Sequence, residues 1–216
     1  EKDAFYGSSY SETVKNISNI IEQDKQSAAD LICYLQKRVV DFKAQLLGAE
    51  IIHSDKQYEI KITEVSLKRA ILHQCQPFLK EFDEKSIRIK FYFGDEIKIH
   101  VDKNMFCLIM YNFFTNAHKY SKNNAEIKFN YSKENNKLDI SMISLKMEKN
   151  ELSELYKEGA RGKHAQHLSG KGIGLFVIKR ALEIMDKDNM YISPNYESST
   201  MVQGKPFIEN HFEFVL

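Results

Sequence analysis

The chain has 216 residues, 43% hydrophobic and 28% charged, with only 9 Gly and 3 Pro. This composition suits a soluble globular protein and excludes collagenous and intrinsically disordered chains. Lys and Arg number 31 against 30 Asp and Glu, a formal net charge of +1, so nucleic acid held by bulk electrostatics is not an expected partner.

No run approaches the roughly 18 apolar residues of a membrane span. Cys33, Cys75 and Cys107 lack the spacing of a disulfide or zinc framework, which predicts a reducing, cytoplasmic setting. A first residue of Glu in place of Met reads as a fragment, with any sensor or membrane segment expected upstream of it. Residues 11–53 carry no Pro and no Gly before Gly48, and Val14, Ile17, Ile21, Ala28, Leu31, Leu35, Phe42 and Leu46 recur at helical steps. The seam predicts one long helix, either in a bundle or lying as an ordinary amphipathic helix on its own domain. Asp24, Arg38 and Gln45 interrupt it and argue against a strict zipper.

A polar break at residues 54–57 predicts a helical segment over 1–55 and a domain over 56–216. Residues 64–85 read as a helix kinked at Pro77. Alternation over 87–93 and 97–101 around Gly94-Asp95 predicts a hairpin. A helix follows over 105–120, apolar on almost every face until Asn116, and then a strand pair over 127–131 and 138–143 with a turn at 133–136. A short helix over 148–157, a loop to Gly170, a helix over 173–185 and strands at 190–192 and 211–215 complete the chain. This mixture predicts an α+β sandwich with one helical face.

Two segments carry chemistry. The first is Asn112-Phe-Phe-Thr-Asn116-Ala-His-Lys119-Tyr120-Ser121, in which steps of four and three put both carboxamides and the ammonium on one helix face. That stripe suits a hydrated Mg²⁺ with polyphosphate, because Mg²⁺ keeps waters and takes few protein ligands. The other reading is a polar helix edge facing solvent. The second segment is Gly170-Lys-Gly172-Ile-Gly174-Leu175, which opens an apolar helix. Closely spaced glycines let backbone approach phosphates, which the free N–H groups of a helix start favour. Neither a βαβ unit nor a terminal Lys-Ser/Thr accompanies it, which excludes dinucleotide and Walker motifs. His164 and His167, three apart on a loop, read as solvated residues in preference to metal ligands.

The order of Asn-rich helix, strand pair, loop, glycine turn and helix resembles the ATP-binding domain of sensor histidine kinases, the Bergerat-type fold shared with type II topoisomerases and mismatch-repair ATPases. Residues 112–121 are similar to that family's N box and Gly170 to Leu175 to its G2 box; the resemblance covers about residues 60–216. It implies ATP and Mg²⁺ as cofactors. Asn116 would chelate the metal, Asn112 would support it, and Lys119 would contact phosphate, with Asn116 and Lys119 as the catalytic pair. Tyr120 would line the nucleotide, Gly170, Gly172, Gly174 and Leu175 would form the phosphate turn, and residues 157–169 would be a lid with Arg161 and Lys163 as its cations. The ATPase branches carry a Glu where Asn112 stands, and Asn cannot take a proton, which favours phosphoryl transfer to protein over hydrolysis.

The resemblance also exposes a departure. The family's G1 box, Asp-x-Gly-x-Gly, falls on Met142, Ser144 and Lys146, so the acidic acceptor for adenine is missing. Asp139 sits three residues away, an odd step that directs it to the other strand face. Residues 11–46 look like the second helix of the family's dimerisation hairpin. No His precedes residue 53, so the phosphoacceptor helix is expected outside this sequence.

The function implied is a protein-histidine kinase of a two-component system, transferring the γ-phosphoryl of Mg·ATP to a histidine on an upstream helix. It would be a homodimer through the N-terminal helix, with a response regulator or other signalling protein as partner and a membrane only through segments outside this chain. The alternative is a degenerate member that dimerises or binds partners as a scaffold. A third reading, an ATPase used as a conformational clamp, is disfavoured by Asn112.

Overall fold

The structure, a computed structural model, describes residues 9–53, 58–187 and 190–216. They divide into two compact units, one ending at Lys43 and one running from Ala44 to Leu216.

The first unit is helical. Helix α1 (Tyr10–Gln23) begins with a capping box, in which the Ser9 hydroxyl accepts from Glu12 N and the Glu12 carboxylate accepts from Ser9 N at 2.9 Å. Helix α2 (Lys25–His53) follows after a single residue, so the long helix expected over 11–53 is two helices. Asp24 makes the break. Its backbone leaves the helical region, and its carboxylate accepts from Ser27 N at 2.9 Å and Ser27 Oγ at 2.7 Å. A short acidic side chain thus competes with the helix ladder and caps the next helix, and these bonds hold the Asp24 carboxyl below its ordinary value. The seam is bare: Val14, Ile17, Ile21, Leu31, Leu35 and Phe42 are all exposed.

The second unit takes in the end of α2, where Gly48 and Ile51 are buried, so it starts earlier than the expected 55/56 boundary. The polar break at 54–57 lies outside the described residues. Strand β1 (Ile62–Ser66) leads into helix α3 (Leu67–Cys75), a 3₁₀ turn (Gln76–Phe78) and helix α4 (Leu79–Glu84). The helix predicted over 64–85 therefore starts later and is interrupted at Pro77, whose ring removes a ladder bond. Strands β2 (Arg88–Phe91) and β3 (Lys98–Asp102) do not form the predicted hairpin. β2 pairs in parallel with β4 (Glu126–Ser132), whereas β3 pairs antiparallel with β1 in a separate two-stranded sheet. The six residues between them are too many for a two-residue turn and carry the chain from one sheet to the other.

Helix α5 (Lys103–Tyr120) precedes β4, and β5 (Lys137–Leu145) pairs antiparallel with β4 across the predicted turn. The short helix expected over 148–157 is a run of turns. There the Glu151 carboxylate accepts from Glu148 N at 2.8 Å and Lys163 N at 2.9 Å, which ties backbone donors outside any helix. Helix α6 (Gly174–Ile184) is followed by β6 (Met190–Val202) and β7 (Lys205–Val215), a hairpin much longer than its predicted pieces. It turns at Gln203 and Gly204, both at positive φ, the geometry of a two-residue hairpin turn.

The large sheet runs β2-β4-β5-β7-β6. Its inward face carries Ile127, Phe129, Leu138, Ile140, Phe212 and Phe214, all buried. Phe113 of α5 meets Phe129 and Phe212 edge-on at 6.2 and 5.5 Å. The outward face is charged, with Lys90–Glu126 at 2.7 Å and Lys137–Glu213 at 3.0 Å. This is the α+β sandwich with one helical face that the residue pattern predicts.

All three cysteines are free, and burial pushes the Cys75 thiol up to about 12. Among the described residues no helix is long and apolar enough to cross a membrane.

A buried carboxylate joins the pieces. Asp102, 1% exposed, caps α5 by accepting from Asn104 N at 2.9 Å and Met105 N at 3.0 Å. It also accepts from Lys61 N at 2.8 Å, fixing the chain that enters β1. Asp102→Ala removes a helix cap and leaves a third backbone donor without its acceptor, and is expected to cost about 2 kcal/mol of stability. Urea unfolding checks this as a lower midpoint at unchanged slope, with Asp102→Asn falling between the two proteins.

Candidate functional site

The site grows from the C-terminal turns of α5, the end of β5 and the start of α6. Asn116, Tyr120, Met142, Ser144, Arg161, Gly172, Gly174 and Leu175 line one cavity of about 90 Å³. Asn116 sits closest to α6. A Cβ built on Gly174 would lie 3.1 Å from both Nδ2 and Oδ1 of Asn116, so a side chain there would push the carboxamide away. Gly172 has φ +70°, and a Cβ on it would lie 2.6 Å from the Ala160 carbonyl oxygen. Both its backbone angle and its neighbour demand glycine. Ile173, at the N-cap of α6, makes no side-chain cap bond, so the first N–H groups of that helix take no partner from it.

The other expected site residues are less concentrated. Asn112 lies one turn earlier on α5 and outside the cavity wall, with its Nδ2 donating to Leu108 O at 2.9 Å. Lys119 lies beside Gly170 and lines a neighbouring cavity, which Tyr120 shares. Burial raises the Tyr120 phenol pKa, against the opposing charge of Arg161. Arg161 donates to the carbonyls of Ala165, at 2.7 Å, and of Leu168, so its guanidinium ties the segment 161–168 to itself. Gly170 and Lys163 line neither cavity.

At the far end of the cavity, strand alternation decides which side chain enters. Met142 faces inward, 3% exposed, and its Sδ accepts from Ser121 Oγ at 3.3 Å. Asp139 turns to the outer face, 3.5 Å from His211 Nδ1, and cannot replace it. Met142, Met147, Leu155, Leu175 and Phe212 fill much of the space. Pockets for ligands of drug size run to about 300–1,000 Å³, so this cavity is smaller than such a site.

Three contributors escaped the motif reading. Asn210 on β7 is fully buried and donates to Ser144 Oγ at 2.8 Å and Leu145 O at 3.3 Å, while its Oδ1 has no partner among the described residues. Its signal is local: it takes an inward position between Ile208 and Phe212 on a strand whose other inward residues are apolar. Glu148 and Glu151 anchor the 157–169 segment. Glu148 Oε1 lies 2.9 Å from His164 Nε2 and its Oε2 3.0 Å from Lys146 Nζ. Those contacts, His164 first, hold the Glu148 carboxyl below its ordinary value. His164 is therefore engaged by a carboxylate, His167 is exposed, and the described residues contain no group of three or more metal-binding side chains.

No protein-family model matches the sequence, and no curated protein is similar to it at the level of sequence. Solved structures are. The nucleotide-free catalytic domain of the histidine kinase ThkA superposes with a TM-score of 0.54 at 14% identity, covering 72% of this chain and 95% of that domain. The mycobacterial sensor histidine kinase MprB gives 0.53 at 13% identity, covering 71% and 97%. The fold is that of a histidine-kinase catalytic domain. ThkA in complex with response regulator protein TrrA gives 0.52 at 13% identity, with 94% of this chain and 57% of that one covered. Asn116 lies on α5, and Gly172 and Gly174 lie at the turn into α6.

The Glu148 anchor has a defined acid response. Its folded-state pKa is lowered, so its contribution is present above the ordinary value of 4.5 and is lost as pH falls through the lowered one. Hydrogen exchange over 157–169, corrected for intrinsic rates, is expected to rise as pH drops below the ordinary carboxylate range. Glu148→Gln should speed it at neutral pH by up to about fivefold, the scale of a partly exposed ion pair, and remove that acid step.

Proposed function

We propose that this protein is the kinase-like module of a cytoplasmic two-component system, binding Mg·ATP and passing its γ-phosphoryl group to a histidine on a helix outside this segment. The observation that carries the reading is the approach of Gly174, at the start of α6, to the Asn116 carboxamide. Asn116 Oδ1 would hold Mg²⁺, an ion that takes few protein ligands, and the ion would neutralise charge on the phosphates. The glycine turn and the first N–H groups of α6 would cradle the phosphates, and Lys119 would add a positive charge beside Gly170. In the transfer an imidazole nitrogen of the acceptor histidine forms the new P–N bond, the bond to the β-phosphate oxygen breaks, ADP leaves, and the imidazole proton goes to solvent. Asn112 cannot activate water, which supports transfer over hydrolysis.

The base end fits less well. Met142 stands where the resemblance calls for an acidic acceptor, and the Ser144–Asn210 pair supplies the hydrogen bonding next to it. That, with the 90 Å³ cavity, favours as the second reading a module that keeps the fold for dimerisation or partner binding. Calorimetric titration of ATP, GTP and ADP separates the two. The kinase reading expects weak ATP binding with little base preference, and loss of its Mg²⁺ dependence in Asn116→Ala. Met142→Asp is expected to strengthen ATP binding by roughly 5- to 150-fold while lowering the stability of the free protein, because it buries a carboxylate. No binding by either protein favours the scaffold; tight, adenine-selective binding by the unaltered chain shows that another group reads the base.

The bare seam of α1 and α2 supports a homodimer, and a response regulator is the partner the kinase reading implies. Sedimentation is expected to show a dimer, with Leu31→Glu or Leu35→Glu shifting it to monomer. A chain that stays monomeric at high concentration overturns the dimer.

A further inference from the structure

Beside the candidate nucleotide site lies a larger cavity, about 350 Å³, walled by four lysines, Lys85, Lys119, Lys122 and Lys205, and by no carboxylate among the described residues. We propose that it is a second site, for a small polyphosphate, meaning a ligand that carries two or more phosphate groups. The lysines come from three parts of the chain: the end of α4, the end of α5 with the turn after it, and the tip of the β6–β7 hairpin. Backbone bonds hold these parts in place. Asn124 N donates to Lys85 O at 2.9 Å, Lys122 N to Ile143 O at 3.0 Å, and Lys146 N to Pro206 O at 3.0 Å. These bonds fix the backbone from which the four lysines project.

Like charges gathered around one cavity raise the free energy of the protein unless something opposes them. None of the four lysines forms an ion pair among the described residues, although the outer face of the sheet pairs its lysines across strands. Burial, and next the charge of Lys205, lower the Lys85 pKa, and the Lys85 ammonium donates to the His118 carbonyl oxygen. A polyphosphate offsets several of these charges at once, and Asn124 and Gln203 in the same wall add amide donors for its oxygens. The volume lies within the range of small-molecule sites. A net charge of +1 over the whole chain argues against a nucleic-acid surface, which needs a broad excess of positive charge.

The test is calorimetric titration of the full chain with inorganic tripolyphosphate, without Mg²⁺ and at physiological ionic strength, so that loose surface attraction is screened. Saturable one-to-one binding is expected. Lys122→Gln and Lys205→Gln should each weaken it about tenfold or more, and the double variant should abolish it. Lys205 is exposed and Lys122 partly so, and unchanged thermal melting verifies that the variants remain folded. Gly174→Ala, which crowds the start of α6, should leave tripolyphosphate affinity untouched. A chain that binds tripolyphosphate this way but no ATP keeps this site and loses the nucleotide reading. Absence of saturable binding, binding retained by the double variant, or binding lost in Gly174→Ala each overturns the proposal, the last by placing the anion at the start of α6.

Discussion

Helix α5 is buried along most of its length, with Met105, Phe106, Leu108, Ile109, Met110, Phe113, Phe114 and Ala117 all shielded. It packs against α3, α6 and the inward face of the large sheet. Each fully buried Phe contributes roughly 1.5–3 kcal/mol, so turning this helix about its axis would expose several kcal/mol of apolar surface. Its rotation is thereby set. With Asp102 fixing where it starts, the rotation decides that Asn116 meets Gly174 and that Tyr120 reaches both cavities. The candidate site is a consequence of core packing, transmitted along one rigid helix.

The two ends of that site follow different physics. At the start of α6 the working groups are backbone and a carboxamide, and the close approach of chain segments at Gly172 leaves no room for a side chain. At the other end Met142 fills space and offers a sulfur, where a smaller acidic side chain would leave room and accept strongly. Asn210 keeps one buried acceptor without a partner among the described residues, next to Ser144. The end at the start of α6 is thus polar and the Met142 end largely apolar.

The segment over 157–169 is tied down by acidic side chains from its own approach. Glu151 gathers two backbone donors and Glu148 engages His164 and Lys146. Arg161, positively charged and in the cavity wall, donates from Nη2 to the carbonyls of Ala165 and Leu168, while its buried Nε has no partner among the described residues. In this arrangement Arg161 organises the segment that follows it.

Much of this could be read from the chain itself. The Asn112–Asn116–Lys119 stripe, the glycine turn, the strand pair around residues 133–136 and the apolar helix between them are local patterns, because side-chain periodicity and turn chemistry act over a few residues. The inward position of Met142 and the outward one of Asp139 also follow from a period of two. Local patterns do not name partners. The alternation over 87–101 marks two strands without saying that β2 would join β4 in parallel while β3 joined β1. The seam over 11–53 shows apolar steps without weighing the Asp24 carboxylate that splits the helix. Sequence alone thus determined the elements and the order of the motifs, whose causes lie within a turn or two of the chain. Only the tertiary structure decided strand partners, the burial of Asn210 and the meeting of Lys85 with Lys205, because these join residues far apart in sequence through packing that no local period records.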